Sequence, residues 1–241
     1  MADSGHSTAT LRLTVGELRI VHPITVPSGP VPAAEVVPAL QGLVNAVVEA
    51  AEKRSVGAGQ TISCRKGCGA CCRQLVPVSR TEGERLLQLI DAMPAQRRDA
   101  LQARFTAAEA AIEDAGLKER GGRSDRELSA AYFALGIPCP FLEEESCSIH
   151  PERPLVCREY LVTSPAELCS GPAQEGVTPV AVPKVSIAAR GLQDESDDWF
   201  PLAMLMAWTR GRPREAERRP GPEWVQRFLR AFSGPGGRQR L

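Results

Sequence analysis

The pattern of hydrophobic and polar positions predicts a β-hairpin near the start of the chain. Between residues 11 and 26, apolar residues occupy alternate positions on both sides of Gly16-Glu17. A period of two is typical of a strand with one buried face, and a Gly-X pair is typical of a two-residue hairpin turn. No other segment gives an equally clear β signal.

Downstream of the hairpin, apolar residues recur at steps of three and four, which is the period of an amphipathic helix. One such stretch runs from Ala34 to about Arg54, with Gly57 placed to end it. Ser79 and Glu82 form a capping-box pattern at the start of a second helix. A third helix follows Pro94 and makes an antiparallel helical hairpin with the second over residues 79–114. A short last helix is predicted from residue 222.

The remaining segments give weaker signals. Residues 116–127 contain almost nothing to bury and are predicted to form a mobile surface loop. The stretch 180–187 is interpreted as a short edge strand, and 199–208 as a buried helix. Two acidic runs, 143–145 and 194–198, are expected to be solvated loops. The fold class predicted is therefore mainly α with a small N-terminal β-hairpin, the helices packing around a cysteine-rich metal-binding loop region.

Composition adds a class of protein to this pattern. The chain has 241 residues, 43% of them hydrophobic, and a net charge of zero, so it can bury a core without disulfides. Its start has no basic and apolar leader pattern, and the apolar run 199–208 is far shorter than the roughly 20 residues that span a bilayer. We therefore expect a cytoplasmic protein with reduced thiols and no membrane partner.

The C-terminal part is basic, with nine arginines and three glutamates from residue 210 onward. No aromatic stacking motif is interleaved with these arginines, so we interpret the segment as a solvated tail and expect no nucleic-acid partner. The predicted domain organisation has three segments. These are an N-terminal hairpin (1–33), a cysteine-cluster metal-binding domain (34–170) and a C-terminal extension with short helices and a basic tail (171–241).

Candidate chemistry is concentrated in the cysteines. Four of the eight lie between residues 64 and 72, at spacings of four, three and one. A core gains nothing from such spacing, whereas a soft metal ion or an iron–sulfur cluster needs thiolates that converge. Glycines at 67 and 69 allow a tight bend that gathers the sulfurs, and a helical turn would also place them on one face. Neighbouring Arg65, Lys66 and Arg73 favour the thiolate forms.

A second cysteine group follows at positions 139, 147 and 157. His150 stands three residues after Cys147, which is ligand spacing, but a surface role is equally compatible with its context. Cys169 is interpreted as a buried free thiol, and Cys72 as the weakest candidate of the first group because adjacent cysteines rarely bind one ion. The predicted metal ligands are Cys64, Cys68, Cys71, Cys72, Cys139, Cys147 and Cys157.

These residues resemble a known family. The string Cys-x3-Cys-x2-Cys-Cys is followed by Cys-Pro-Phe-Leu, Cys-Ser-Ile, Arg-Pro-Leu-x-Cys-Arg and Tyr160. Over roughly residues 64–160 this order is similar to the YkgJ-type cysteine-cluster family, a zinc- or iron-chelating group, and flagellin lysine N-methylases carry a related cluster. The resemblance implies metal chelation without a defined reaction. Because the family frequently has tyrosine at the position of His150, it also implies that His150 is not an obligatory ligand.

Two functions follow as hypotheses. The first is a metal-binding protein that chelates an iron–sulfur cluster or zinc, with the metal centre as its partner. The alternative is an iron–sulfur enzyme in redox chemistry or S-adenosylmethionine-dependent protein methyl transfer. The sequence contains no Gly-rich strand-turn-helix for an organic cofactor, which favours the first hypothesis. All-thiolate ligation favours iron slightly over zinc.

Overall fold

A computed structural model describes residues 5–119, 121–171, 175–193, 199–210 and 217–233. The fold is mainly α, as predicted. The helices are α1 (Val37–Gly57), α2 (Arg80–Asp91), α3 (Ala95–Asp114), α4 (Asp125–Ala134), α5 (Leu155–Arg158), α6 (Leu205–Thr209) and α7 (Gly221–Ser233). The strands are β1 (His6–Val15), β2 (Leu18–Pro27), β3 (Pro30–Pro32), β4 (Pro77–Val78), β5 (Leu142–Glu143), β6 (Ser146–Cys147), β7 (Phe200–Pro201) and β8 (Arg218–Pro220).

The N-terminal hairpin is confirmed and is longer than the alternation alone predicted. Strands β1 and β2 pair antiparallel, with Val15 opposite Leu18 across the turn. Gly16 has a φ of 59°, which glycine adopts without the steric cost that a side chain brings. Alternate residues of β2, among them Ile20 and Ile24, are buried against the core, while the intervening positions face outward. The pattern of period two therefore marks the face that packs.

Helix α1 is the centre of the first core. Its buried residues, including Leu40, Leu43 and Val44, pack against β2, α5 and α7 residues in one apolar cluster. With the 3₁₀ turn before it, the segment Ala33–Gly57 is long and apolar enough to span a membrane by length and composition alone, and 56% of its most apolar window is buried inside the fold. This segment is longer than the apolar run 199–208.

A second core forms around α2 and α3. The capping box that begins α2 is confirmed, because the Ser79 hydroxyl accepts a hydrogen bond from the Glu82 N–H and the Glu82 carboxylate accepts one from the Ser79 N–H. Leu101 and Phe105 of α3 are fully buried, as the helical spacing predicted, and Phe105 meets Phe141 edge to face at 5.5 Å between ring centroids. This core therefore reaches the second cysteine segment.

Three predictions about local structure are wrong. The segment 116–127 is not a loop to its end, because α4 begins at Asp125 behind a second capping box of Ser124 and Glu127. The stretch 180–187 is not an edge strand, because a 3₁₀ helix begins within it at Val185 and runs to Leu192. Residues 199–208 are divided among β7, a 3₁₀ turn and α6, since Pro201 has no backbone N–H for a continuous helix.

Two predicted features fall outside the described residues. These are the acidic run 194–198 and, within the basic C-terminal part, residues 211–216 and 234–241. The three-segment domain division stays a prediction. The first core contains residues of the hairpin, of α1 and of α7, and therefore joins parts of the chain that are far apart in sequence.

Candidate metal centre

The first cysteine segment is a series of turns rather than a helix. Residues Gly67 to Gln74 bend through hydrogen bonds from Cys68 N–H to the Arg65 carbonyl and from Cys72 N–H to the Gly69 carbonyl. Gly67 has a φ of 86°, in the region that favours glycine. Of the two geometries that the spacing allowed, the tight bend is the one the chain adopts.

The second cysteine segment is a short hairpin. Cys139 precedes it, and Cys147 lies on β6 opposite Leu142 of β5. Its two turn residues, Glu144 and Glu145, have φ values of 48° and 56°, so both are left-handed, as a two-residue turn of this type requires. Burial of Phe141 on one side fixes this hairpin to the second core.

Three contacts join the two cysteine segments. The Cys139 N–H donates to the Cys72 carbonyl at 2.7 Å. A Cβ on Gly69 would lie 2.5 Å from the Glu145 carbonyl oxygen, so only glycine permits this approach. The Arg73 guanidinium forms two hydrogen bonds to the Glu145 carboxylate, at 2.7 and 3.0 Å. Arg73, expected to act on the thiols, is therefore paired with Glu145, which was expected only to face solvent.

The third segment carries Cys157 on the one-turn helix α5, and buried polar groups fix it from two sides. The Leu155 N–H donates to the Glu82 carboxylate at 2.9 Å, which ties α5 to the start of α2. Arg158, buried beside Cys157, donates to the Asn45 side-chain oxygen of α1 at 3.0 Å. Side chains that accept or donate in this way fix the backbone of a ligand-bearing segment.

Glu159 completes the attachment of this segment. Its carboxylate accepts hydrogen bonds from the Ser186 N–H at 2.6 Å and from the Ser186 hydroxyl at 2.7 Å. Burial raises the pKa of Glu159 to about 7 against the effect of these hydrogen bonds. None of these partners could be identified in the sequence, because they lie far from Cys157 along the chain.

The three segments surround one cavity of about 570 Å³. His150 also lines it, and its Nε2 accepts a hydrogen bond from Arg153 Nη1 at 2.8 Å. Six of the seven predicted ligands line this cavity: Cys68, Cys71, Cys72, Cys139, Cys147 and Cys157. The remaining one, Cys64, is not among the lining residues, and its sulfur accepts a hydrogen bond from the Val162 N–H at 3.4 Å.

The electrostatics of the thiols show which of them are neighbours. The pKa of Cys139 is raised to about 12, first by burial and then by the neighbouring thiols of Cys147 and Cys71. The pKa of Cys157 is also raised, first by burial and then by Cys139, Cys71 and Cys147. These four thiols therefore interact with one another, and the metal-free site holds protons that a bound cation would displace.

Arg153 acts in the opposite direction on this group. Its positive charge lowers the pKa of Cys71, Cys147 and Cys157, although burial outweighs it in each case. The Arg153 Nε is buried and has no hydrogen-bond partner among the described residues. In the sequence, Arg153 stands out only as the first residue of the Arg-Pro-Leu-x-Cys-Arg motif. Its spacing from Cys157 gives no sign that it faces the thiols.

Cys169 lies nearer to the site than its isolated position in the sequence suggests. It is buried, and its pKa is raised first by burial, while the adjacent Tyr160 hydroxyl lowers it and Cys71 raises it. The Cys169 carbonyl accepts a hydrogen bond from the Gln74 side chain at 3.2 Å, which ties this segment to the end of the first cysteine bend. The interpretation of Cys169 as a buried thiol without a ligand role stays a prediction.

The donor set fits a soft metal centre, since the described cysteines are all free thiols and six of them converge on one cavity. Within the described ranges, no three Cys, His, Asp or Glu side chains are already positioned to hold an ion as they stand. Neutral thiols have no attraction that would draw their sulfurs together, whereas a cation at sulfur distances near 2.3 Å supplies it.

Comparison with known proteins agrees with this geometry. Residues 63–176 match the CxxCxxCC family model, whose description is "Putative zinc- or iron-chelating domain". The match begins one residue before Cys64 and extends past Cys169, so it spans the three cysteine segments. No curated protein and no solved structure matches the chain. Residues 63–176 are therefore similar to the cysteine-cluster family of zinc- or iron-chelating domains.

Proposed function

We propose that this protein binds an iron–sulfur cluster or a zinc ion in the cysteine-lined cavity. The observation that carries the proposal is the convergence of six cysteines, from three separate segments, on one cavity. Thiolates gathered from distant parts of a chain are the ligands that zinc and iron–sulfur clusters use in proteins.

Four thiols are the strongest candidates for the ligands. Cys71, Cys139, Cys147 and Cys157 line the cavity and raise one another's pKa, as the electrostatics above describe. Four cysteines are also the number that a zinc ion or a four-iron cluster takes. Cys68 and Cys72 flank Cys71 in the same bend, and Cys64 lies outside the lining, so these three would complete the shell or hold a second ion.

Of the two metals, the structure favours the cluster. A zinc ion fills only the space among its four sulfurs, about 2.3 Å from each. The cavity is much larger than that space, and buried Phe141 and Ile149 form apolar walls beside the cysteines. A dry apolar wall tunes the reduction potential of a cluster and protects its thiolates.

We infer a cytoplasmic location from the state of the cysteines. All eight cysteines are free, and the seven candidates are partly accessible to solvent. An oxidising compartment favours disulfides among clustered cysteines, whereas a reducing one keeps the thiols available to metal.

The test is anaerobic purification followed by metal analysis and an absorption spectrum. An iron–sulfur protein contains iron and acid-labile sulfide and absorbs visible light, whereas a zinc protein contains zinc and is colourless. Loss of either metal in a C139S/C157S double variant would support the site. A purified protein that takes up neither zinc nor iron, with or without reconstitution, would contradict the proposal.

The same sample tests the enzymatic alternative. The cavity extends beyond the cysteines and has room for a substrate. This is the observation that supports the enzymatic alternative. A spectrum that changes on adding dithionite or S-adenosylmethionine would support redox or methyl-transfer chemistry. An unchanged spectrum would leave a structural or carrier role.

A further inference from the structure

The cysteine-lined cavity has a second wall that contains no cysteine. One face of α4 forms it, through Arg126, Ser129, Ala130 and Phe133. These positions are spaced three, one and three apart, so they lie in a row on the same side of the helix. The buried residue of α4, Tyr132, faces the core instead. One face of helix α4 therefore packs against the core, and another face is open to the cavity.

The volume of the cavity is that of a site for a small organic molecule. Pockets that bind such ligands measure about 300–1,000 Å³, and this one measures about 570 Å³, including the part among the cysteines that a metal centre would fill. Most of the lining residues other than the cysteines are apolar, among them Phe133, Phe141 and Leu202. Apolar walls with a few polar groups at defined positions are typical of ligand sites.

The charge of the lining gives the class of ligand. Two arginines, Arg126 and Arg153, line the cavity, and none of the lining residues in the described part of the chain is acidic. Arg153 already faces the thiols, where it offsets the negative charge of bound thiolates. Arg126 is exposed, and it has no hydrogen-bond or ion-pair partner among the residues that the structure describes. A lining with two guanidinium groups and no carboxylate favours an anionic ligand.

A buried hydroxyl adds a second polar group. The Tyr160 Oη has no oxygen or nitrogen partner in the described residues, and only the Cys169 thiol lies beside it. A thiol is a weak hydrogen-bonding group, so a phenol held in this way retains the capacity to bind an oxygen atom of a ligand. Tyr160 lines the same cavity as Arg126.

We propose that the cavity binds a small organic carboxylate with an apolar body. The carboxylate pairs with Arg126 at the α4 wall, and the apolar body lies against Phe133 and Phe141 with its far end beside the cysteines. This site deepens the proposed function, and it rests on that function only in placing the far end of the ligand next to a metal centre.

The experiment is calorimetric titration of the protein with 1-naphthaleneacetate and with its neutral analogue 1-naphthaleneacetamide. Because an ion pair with an exposed guanidinium contributes up to about 1 kcal/mol, the carboxylate is expected to bind about fivefold more tightly than the amide. In R126Q this preference falls to about twofold or less, since the glutamine carries no charge. Arg126 is exposed, so this variant retains its fold.

A matched pair of variants on α4 locates the binding. A130W places an indole in the cavity and is expected to abolish titration by both compounds. A134W puts the same side chain on an exposed residue that does not line the cavity, and is expected to bind like the wild type. Metal content and circular dichroism are measured on each sample, and affinity is compared only between folded samples of equal metal content.

The proposal is overturned if the wild type shows no saturable heat, if it binds acid and amide equally, or if R126Q keeps the full preference. It is also overturned if folded A130W binds as A134W does. A protein without metal refutes the metal centre, and the titration of that same sample still measures the anion site, so the two failures are distinguishable.

Discussion

Cys157 stands where side chains from α1 and α2 fix the backbone of a one-turn helix. Because its neighbours are held by Asn45 and Glu82, its sulfur stays at the cavity wall whether or not metal is bound. We therefore expect C157S to lose most of its metal, since a hydroxyl is a poor donor for a soft ion. Metal per protein measured by mass spectrometry checks this.

C169S is the matched control for that variant, because it makes the same chemical change outside the cavity lining. It should retain metal near the wild-type content, with at most a modest loss of packing. A loss of metal equal to that of C157S would show that Cys169 is a ligand. The test is sharp because Cys169 lies beside Tyr160 and near the first cysteine bend.

His150 gives a second prediction at the residue scale. The Nε2 of His150 accepts a hydrogen bond from the Arg153 guanidinium, so this nitrogen already has a partner. We expect H150Y to keep its metal, because the phenol oxygen also accepts hydrogen bonds and the family resemblance places tyrosine here. Metal content as low as in C157S would contradict this and would indicate a histidine ligand.

At the scale of elements, two capping boxes of the same sequence pattern differ in what they hold. Glu82 is buried and also accepts from the Leu155 N–H, whereas Glu127 is fully exposed and caps only α4. Removing Glu82 leaves the N–H groups of Leu155 and Ser79 buried without acceptors. At about 1–3 kcal/mol for each such group, we expect E82A to lower the free energy of unfolding by about 3 kcal/mol.

Urea denaturation of E82A and E127A makes the comparison. E127A should be clearly less destabilised, because water replaces its carboxylate as the acceptor. Equal losses in the two variants would mean that the bond from α2 to α5 contributes nothing to stability.

The hairpin between β5 and β6 contains the second prediction about an element. Glu144 has a left-handed φ of 48°, which asparagine adopts at lower cost than glutamate. We expect E144N to raise the free energy of unfolding by about 0.5–1 kcal/mol, as a substitution that removes backbone strain. In E145N the same gain should be offset by loss of the Arg73 ion pair. A destabilised E144N would contradict the assigned turn.

For the whole molecule, the position of the cysteines between two cores decides what metal does to stability. Cys64 packs against the core of α1, while Cys139 and Cys147 pack against the core of α2 and α3. A metal centre that joins these segments binds only the folded chain. At a free metal concentration of 1,000 times its Kd it would add about 4 kcal/mol.

Removing metal with a chelator should therefore lower the midpoint of thermal unfolding by about 10 °C, given about 2–4 °C for each kcal/mol in a chain of this size. Differential scanning calorimetry before and after chelation measures the shift, and reloading should reverse it. The C139S/C157S variant is the control, because its midpoint should not respond to the chelator.

The sequence by itself determined the elements whose signal is local. Alternation marked the hairpin of β1 and β2, steps of three and four marked α1, α3 and α7, and Ser79 with Glu82 marked the start of α2. These signals suffice because each depends on neighbours a few residues away. The spacing of the cysteines likewise indicated metal chelation, and the family match supports it.

Tertiary structure decided what the spacing could not. It placed Arg73 on Glu145, tied Leu155 to Glu82, and brought one face of α4 to the cysteines, while Cys64 stayed outside the cavity lining. The short 3₁₀ segments after residue 180 also follow from packing, since they have no period of their own. The contacts of Arg73 with Glu145 and of Leu155 with Glu82 join residues 72 and 73 positions apart, so they leave no mark on a local pattern and only the folded chain shows them.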